Sequence, residues 1–145
     1  MKVVVSACLL GENCKYNGGN NFCSHVAKFV EDKEVIPVCP EVLAGLGVPR
    51  TPIEIVNGSV YDRNGNCVDG ALRKAVETIL TQLEGQDIDC VILKSRSPTC
   101  GVRQVYDGTF SGKLVDGMGV LAAALQKKGY KVVDSEDCIA KNGDL

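Results

Sequence analysis

The sequence has no tryptophan, a single histidine and few aromatic residues of any kind. Aromatic side chains make up only 5% of the chain, so aliphatic residues must fill the core. Because His25 is the one histidine, catalytic triads that depend on histidine have little support. The net charge of −2 gives no electrostatic basis for binding nucleic acid, which a basic surface usually provides.

Long apolar runs are also missing. No stretch approaches the roughly 20 apolar residues that a membrane-spanning helix needs. The apolar run at residues 1–5 is too short for a signal peptide, and no small-residue cleavage site follows it. We therefore expect a cytoplasmic protein with reduced thiols and no membrane partner, folded as one domain over residues 1–145.

Cysteine is the residue type that this chain has in excess, yet no C-x-x-C pair occurs. That absence removes the usual signature of zinc ribbons and thioredoxin-like sites, and a ferredoxin-type cysteine run is missing too. A metal site made of these thiols must be assembled by the fold from distant segments. The eight cysteines are Cys8, Cys14, Cys23, Cys39, Cys67, Cys90, Cys100 and Cys138.

Apolar runs and helical periodicity alternate along the chain. Buried strands are predicted at 2–7, 34–38, 88–93 and 130–133, and helices at 22–32, 69–83 and 118–127. Asn-Gly steps between residues 53 and 70 predict a hairpin, Asp69 is a plausible N-cap, and 102–117 is predicted to be a loop. The fold class that follows is α/β: a single domain with a mainly parallel sheet, helices on both faces and a small β-hairpin excursion.

Three cysteines follow predicted strands, namely Cys8, Cys39 and Cys100. Ligands of open α/β sheets bind at the carboxyl ends of the strands, so these thiols can converge on one crevice. Soft sulfur ligands suit zinc or an iron–sulfur cluster. Three thiols leave a cubane cluster with one open iron, whereas Cys14 as a fourth ligand would close the site. Packing as a small hydrophobe is the alternative for any of them.

The remaining cysteines are predicted to have other roles, and oxygen-bearing side chains flank the three. Cys23 and Cys90 are expected to pack in the core, and Cys67 and Cys138 to be packing or surface residues. Glu41 and Ser97, beside Cys39 and Cys100, could hold and activate a water next to an open metal site. Arg50 is predicted to anchor a loop, or to meet a substrate phosphate.

Five stretches together resemble the DUF523 family, whose characterised members are thiouracil desulfidases. They are "VSACLLG", "CKYNGG", "CPEVLAGLGVPRTPIEI", "LKSRSPTCG" and "GMGVLAAAL", which extend over nearly the whole chain. The resemblance implies an α/β domain that carries a [4Fe-4S] cluster on three cysteines, with Cys8, Cys39 and Cys100 as ligands. It likewise implies Glu41 as the acid–base residue and Ser97 as the hydroxyl that orients water.

The activity that this resemblance implies is non-redox desulfuration of a thiolated pyrimidine, either thiouracil or a 4-thiouridine nucleotide. The products are a uracil-type base and sulfide, and the sulfur acceptor is left unassigned. A cluster with an open iron is oxygen-labile, so protein handled in air is expected to lose it or to hold zinc instead.

The chain departs from the family pattern at Asn17, where an aspartate is usual, and at Cys14, where a residue other than cysteine is common. We expect Asn17 to influence substrate preference if it contacts the substrate or the cluster pocket. Two other functions stay open: a non-catalytic module that binds zinc or an iron–sulfur cluster, and a thiol redox protein. The redox protein has the least support because no C-x-x-C exists.

Overall fold

The computed structural model describes residues 1–140, and the side chain of Cys138 lies outside the described part. In chain order the elements are β1 (Lys2–Ser6), a 3₁₀ turn (Ala7–Leu10), α1 (Ser24–Phe29), β2 (Glu34–Val38), α2 (Pro40–Leu43), β3 (Ile53–Val56), β4 (Ser59–Asp62), α3 (Asp69–Leu83), β5 (Cys90–Leu93), β6 (Gln104–Tyr106), β7 (Leu114–Asp116), α4 (Val120–Lys127), β8 (Val132–Asp134) and α5 (Ser135–Ala140).

Four parallel strands form the central sheet in the order β2-β1-β5-β8. Its middle is made by aliphatic runs: Val3 pairs with Val35 on one side and with Cys90 on the other. Val3, Val4 and Val5 have no solvent exposure, as expected for a continuous β-branched run in a strand that is covered on both faces. The predicted parallel sheet is confirmed.

Helices cover both faces of this sheet, as predicted. Side chains alternate along β1, so Val4 faces the cluster made with α3 and α4, whereas Val3 and Val5 face α1. The apolar stripe predicted for α3 packs on the face of the sheet that carries Val4. Its residues Leu72, Val76, Ile79 and Leu83 are all buried in that cluster.

The Asn-Gly turn at Asn57 joins β3 and β4 as an antiparallel hairpin. Asn57 and Gly58 both have positive φ, 50° and 85°, which is the geometry of a type I′ turn. Asp69 was expected to cap α3 but lies within its first turn instead. Its carboxylate accepts the backbone N–H of Val60 and pairs with Arg73, so it links the hairpin to the helix.

The loop prediction for 102–117 was wrong, because β6 and β7 pair there as a second antiparallel hairpin. These strands have three residues each and β7 is exposed throughout, so neither shows an apolar alternation that the sequence could reveal. Within residues 1–140, no helix combines the length and the apolar character that a bilayer crossing requires.

The connections of the central strands leave a crevice at their carboxyl ends. The chain passes from β1 to β2 on one side of the sheet, and β5 pairs with β1 on the other side. The loops after β1 and β5 therefore leave the sheet in opposite directions and open a gap above the strand ends. Open α/β sheets bind ligands in such a gap. The segments that follow β1, β2 and β5 therefore border this crevice.

Candidate active site

A cavity of about 470 Å³ occupies the carboxyl edge of the sheet. It brings together the three strand-end thiols, the fourth thiol that the sequence left open, and the two oxygen groups beside them. These lining residues are Cys8, Cys14, Cys39, Cys100, Glu41 and Ser97. Of the other described cysteines, Cys67 is exposed, and Cys23 and Cys90 pack in the cluster under α1.

The first two thiols are held by tight turns directly after their strands. Cys8 lies in the 3₁₀ turn after β1, and its carbonyl accepts the backbone N–H of Asn21 at 3.0 Å, which ties down the Gly- and Asn-rich loop. Cys39 occupies the N-cap position of α2, and Pro40 at the first helical position sets the backbone direction there. Both thiols are thus fixed by local backbone rather than by a flexible loop.

The turn that carries Cys100 packs directly on the N-terminus of α4. The carbonyl of Thr99 accepts the N–H of Leu121 at 2.8 Å, and the carbonyl of Gly101 accepts that of Gly119 at 2.7 Å. A Cβ on Gly119 would lie 2.4–2.7 Å from backbone atoms of Thr99 and Cys100, so only glycine allows this approach. The "GMG" stretch therefore supports the thiol turn, although it lies well beyond it in sequence.

Neighbouring side chains and burial set the state of these thiols. Burial raises the pKa of the Cys100 thiol to about 12, even though Ser6 donates a hydrogen bond to its sulfur. Burial raises the pKa of Cys8 as well, against a hydrogen bond from the Asn21 amide that lowers it. Without metal, both thiols are protonated at neutral pH, and binding a metal through them releases protons.

Cys14 belongs to the same group of thiols. Its side chain is buried and lies near the Cys39 and Cys8 thiols. Burial, followed by the nearby Cys39 and Cys8, raises the pKa of Cys14 to about 12. Among the described residues, no three His, Cys, Asp or Glu side chains converge on a position for one metal ion. The four thiols border a cavity that is larger than a single-ion site.

Glu41 is held in a buried ion pair with Arg50. The Nε and Nη2 atoms of Arg50 each lie 3.1 Å from Oε1 of Glu41, and Nη1 donates to the Gly47 carbonyl at 3.1 Å. The two side chains are only 14% and 7% exposed, for Glu41 and Arg50 respectively. All three nitrogens of Arg50 are thus engaged within the protein, and a substrate phosphate would have to compete with Glu41 for them.

Ser97 and Thr99 connect the thiol turn to Glu41. Thr99 Oγ1 donates to Oε2 of Glu41 at 2.9 Å and lies 2.9 Å from Ser97 Oγ. Ser97 Oγ accepts the backbone N–H groups of Thr99 and Cys100, both at 3.1 Å. The carboxylate and the hydroxyl predicted as a pair do lie together, joined through a third side chain.

Asn17 is not among the residues that line the cavity. Its side chain is exposed, and its Oδ1 accepts the N–H of Gly19 at 3.0 Å within the turn. Its influence on substrate preference stays a prediction.

Sequence reasoning missed three polar side chains at this site: Ser6, Asn21 and Thr99. Ser6 accepts the Lys94 N–H besides donating to Cys100, so it joins the ends of β1 and β5. Ser6 and Thr99 lie in recognised stretches, two residues before Cys8 and directly before Cys100, and that position could have indicated a role. Asn21 lies two residues beyond "CKYNGG", where the sequence carries no such signal.

A second loop contributes to the lining of the cavity. The carboxylate of Glu54 is buried and accepts the N–H groups of Gly108 at 2.9 Å and Phe110 at 3.2 Å. Gly108 has a φ of 92°, and a Cβ there would lie 2.6 Å from the Ile55 carbonyl. This anchoring places the Phe110 ring at the cavity, with Arg63 5.9 Å from its centroid.

Comparison with known proteins gives three matches. A family model described as 2-thiouracil desulfurase matches residues 3–137. The uncharacterised protein YbbK of Bacillus subtilis (strain 168) is 35% identical over 145 residues, which cover 93% of this chain and 96% of YbbK. Among solved structures, the [4Fe-4S]-dependent thiouracil desulfidase TudS is similar with a TM-score of 0.87 and 32% identity, over 97% of this chain and 93% of TudS.

Proposed function

This chain belongs to the 2-thiouracil desulfurase family, and we propose that it removes sulfur from a thiolated pyrimidine with an iron–sulfur cluster as cofactor. In the reaction one water replaces the sulfur: the C=S carbon of the pyrimidine becomes a C=O carbon, and hydrogen sulfide leaves. No electrons are gained or lost overall. The observation that carries the proposal is the cavity in which Cys8, Cys39 and Cys100 meet Glu41 and Ser97.

The donor set fits a cluster. Cys8, Cys39 and Cys100 would hold it, because thiolate sulfur is the ligand that iron–sulfur clusters take and the cavity exceeds the size of one ion. The Ser6 and Asn21 side chains lower the pKa of the Cys100 and Cys8 thiols, respectively, and polar groups around the ligands tune a metal centre. When bound through three cysteines, the cluster would supply an open iron as a Lewis acid that polarises the C–S bond.

Glu41 is positioned to act on the incoming water. An ionised carboxylate offers about four acceptor positions, two on each oxygen. Oε1 uses both of its positions for Arg50, and Oε2 uses one for Thr99. One acceptor position on Oε2 is thus left, where Glu41 can accept a proton from a water at the cavity. Ser97 acts on that water only indirectly, because its hydrogen bond holds Thr99, which in turn holds Glu41.

The test begins with protein purified without oxygen, because an open-site cluster is oxygen-labile. We expect a brown protein with about four irons and four sulfides per chain, the cubane stoichiometry. Incubation with 4-thiouracil, 2-thiouracil and 4-thiouridine monophosphate should release sulfide from at least one of them. A protein with full iron content that releases sulfide from none would contradict the proposal.

Variants separate cofactor binding from chemistry. Serine at position 8, 39 or 100 should abolish iron retention, whereas Cys67→Ser, at an exposed position away from the cavity, should keep it. Glu41→Gln should keep the iron and lower turnover on the order of 100-fold or more, as loss of a general base does. Unchanged turnover in Glu41→Gln would mean that water is activated elsewhere.

Cys14 favours a second function, a non-catalytic module closed by four thiols around zinc or a cluster. Its buried thiol borders the same cavity as Cys39, so a fourth ligand is available from this chain. For such a module, Cys14→Ser releases metal as readily as Cys39→Ser does, and no sulfide is produced. For the desulfidase, Cys14→Ser keeps its iron and its turnover.

A further inference from the structure

The hydroxyl of Thr99 links the two oxygen groups of the site. Thr99 is 1% exposed, and its Oγ1 lies 2.9 Å from both Ser97 Oγ and Glu41 Oε2. The Glu41 contact joins residues 58 positions apart in the chain. Nothing in the composition or spacing of the sequence assigns Thr99 a role in the reaction.

Counting donors and acceptors gives this link a direction. A hydroxyl has one proton to donate and two lone pairs to accept with. Both lone pairs of Ser97 Oγ are used by the backbone N–H groups of Thr99 and Cys100, so Ser97 must donate its proton to Thr99 Oγ1.

The proton of Thr99 is likewise committed. An ionised carboxylate only accepts, so Thr99 is the donor toward Glu41. Its other contact, to the Cys100 sulfur, is much longer at 3.8 Å, and sulfur is the weaker acceptor. The hydrogen bonds therefore run in one direction, from Ser97 through Thr99 to Glu41.

Thr99 and Arg50 together set the orientation of the Glu41 carboxylate. Arg50 occupies Oε1 and Thr99 takes one position of Oε2, so rotation of the carboxylate would break hydrogen bonds at both ends. Without the Thr99 hydroxyl, Oε2 would lose its partner and the Ser97 proton would lose its acceptor. Glu41 and Ser97 would then no longer be connected through a hydrogen-bonded side chain.

We infer that Thr99 is a positioning residue, whose hydroxyl locks Glu41 and Ser97 into one aligned unit at the cavity. The inference rests on the proposed desulfuration and adds to it the residue through which Ser97 fixes Glu41, the group that acts on water. A residue that orients such a group affects the chemical step more than substrate binding.

The test compares three variants at Thr99 in anaerobically purified, cluster-loaded protein with 4-thiouracil. Thr99→Ala and Thr99→Val remove the hydroxyl, and we expect kcat to fall on the order of 100-fold, as about 1 Å of misplacement does. KM should stay within about threefold of its original value, because uniform binding is untouched. Thr99→Ser keeps a hydroxyl and should restore kcat to within about threefold of the original protein.

Controls separate this role from a structural one. Thr78→Val removes a threonine hydroxyl from an exposed position on α3 and should leave kcat and KM unchanged. Iron per chain should be equal in all variants that are compared. A crystal structure of metal-free Thr99→Ala should show the Glu41 carboxylate turned away from Ser97 while Arg50 stays in contact with it.

The outcomes are distinguishable. If Thr99→Ala retains full kcat, or if Thr99→Ser is as impaired as Thr99→Ala, Thr99 does not position the site. If the unmodified, iron-loaded protein releases no sulfide, the proposed function itself fails. If the alanine and valine variants do not retain iron, the crystal structure of metal-free Thr99→Ser becomes the test. In that structure the serine hydroxyl must contact both Ser97 and Glu41. A serine hydroxyl that does not make both contacts overturns the inference.

Discussion

The ion pair between Arg50 and Glu41 predicts a large loss of stability when Arg50 is replaced by methionine. Methionine keeps much of the volume of arginine but removes the two donors to Oε1 of Glu41 and the donor to Gly47. Glu41 is only 14% exposed, so water cannot replace the lost partners fully. The variant therefore leaves a buried carboxylate whose charge is compensated by the Thr99 hydrogen bond alone.

The magnitude follows from burial. Removing one partner of a buried ion pair costs about 3–5 kcal/mol. Because Glu41 keeps some exposure and its hydrogen bond to Thr99, we expect the lower end, about 3 kcal/mol of unfolding free energy for Arg50→Met. For a chain of this length, that loss lowers the melting temperature by about 6–12 °C.

The assay is urea unfolding of metal-free protein at pH 7 under reducing conditions, followed by circular dichroism. A double-mutant cycle adds Glu41→Gln and the double variant, in which neither buried charge remains. We expect the sum of the two single-variant losses in unfolding free energy to exceed the loss in the double variant by about 2 kcal/mol, which is within the range of contacting pairs. The exposed pair of Lys2 and Glu34 is the control, with a coupling of about 0.5 kcal/mol. If the two single-variant losses at the buried pair add to the double-variant loss within about 0.5 kcal/mol, Arg50 and Glu41 do not stabilise each other as proposed.

Other predictions concern the supports of the site. Gly119→Ala forces a Cβ into the backbone of Thr99, so we expect a loss of about 3 kcal/mol in urea unfolding. Gly117→Ala meets only an ordinary contact at 3.4 Å and is the control; equal stability of the two variants would contradict this explanation. Glu54→Met leaves the N–H groups of Gly108 and Phe110 without their acceptor, so both amides should exchange with deuterium faster. Glu54→Gln keeps an acceptor and should protect them. Equal exchange in the two variants would argue against Glu54 as the anchor of this loop. Burial raises the pKa of Asp134, so its folded carboxyl binds a proton more readily than the unfolded one. Its ionisation then opposes folding at neutral pH, and this penalty disappears as pH falls through the raised pKa. Asp134→Asn should therefore be more stable than the original protein at pH 7, with a difference that shrinks on acidification; a difference that grows on acidification would reverse this assignment.

The sheet and its main helices were predictable from local pattern. Short β-branched runs such as Val3–Val5 favour a strand buried on both faces, and the stripe from Leu72 to Leu83 has helical spacing. The turn at Asn57 follows from the tolerance of Asn-Gly for positive φ. The β6–β7 hairpin was not predictable, because short exposed strands are held by hydrogen bonds rather than by an apolar pattern.

Three thiols, Cys8, Cys39 and Cys100, could be assigned to the carboxyl edge from the sequence, because parallel strands must end at the same edge of the sheet. Glu41 and Ser97 followed as their neighbours along the chain. The place of Cys14 in the same cavity and the contacts of Glu41 and Ser97 became evident from the folded chain alone. Arg50 pairs with Glu41, and Thr99 joins Glu41 to Ser97 across 58 residues of chain. Such contacts depend on how loops from separate strands pack against each other, and hydrogen-bond partners so distant leave no period or spacing in the sequence.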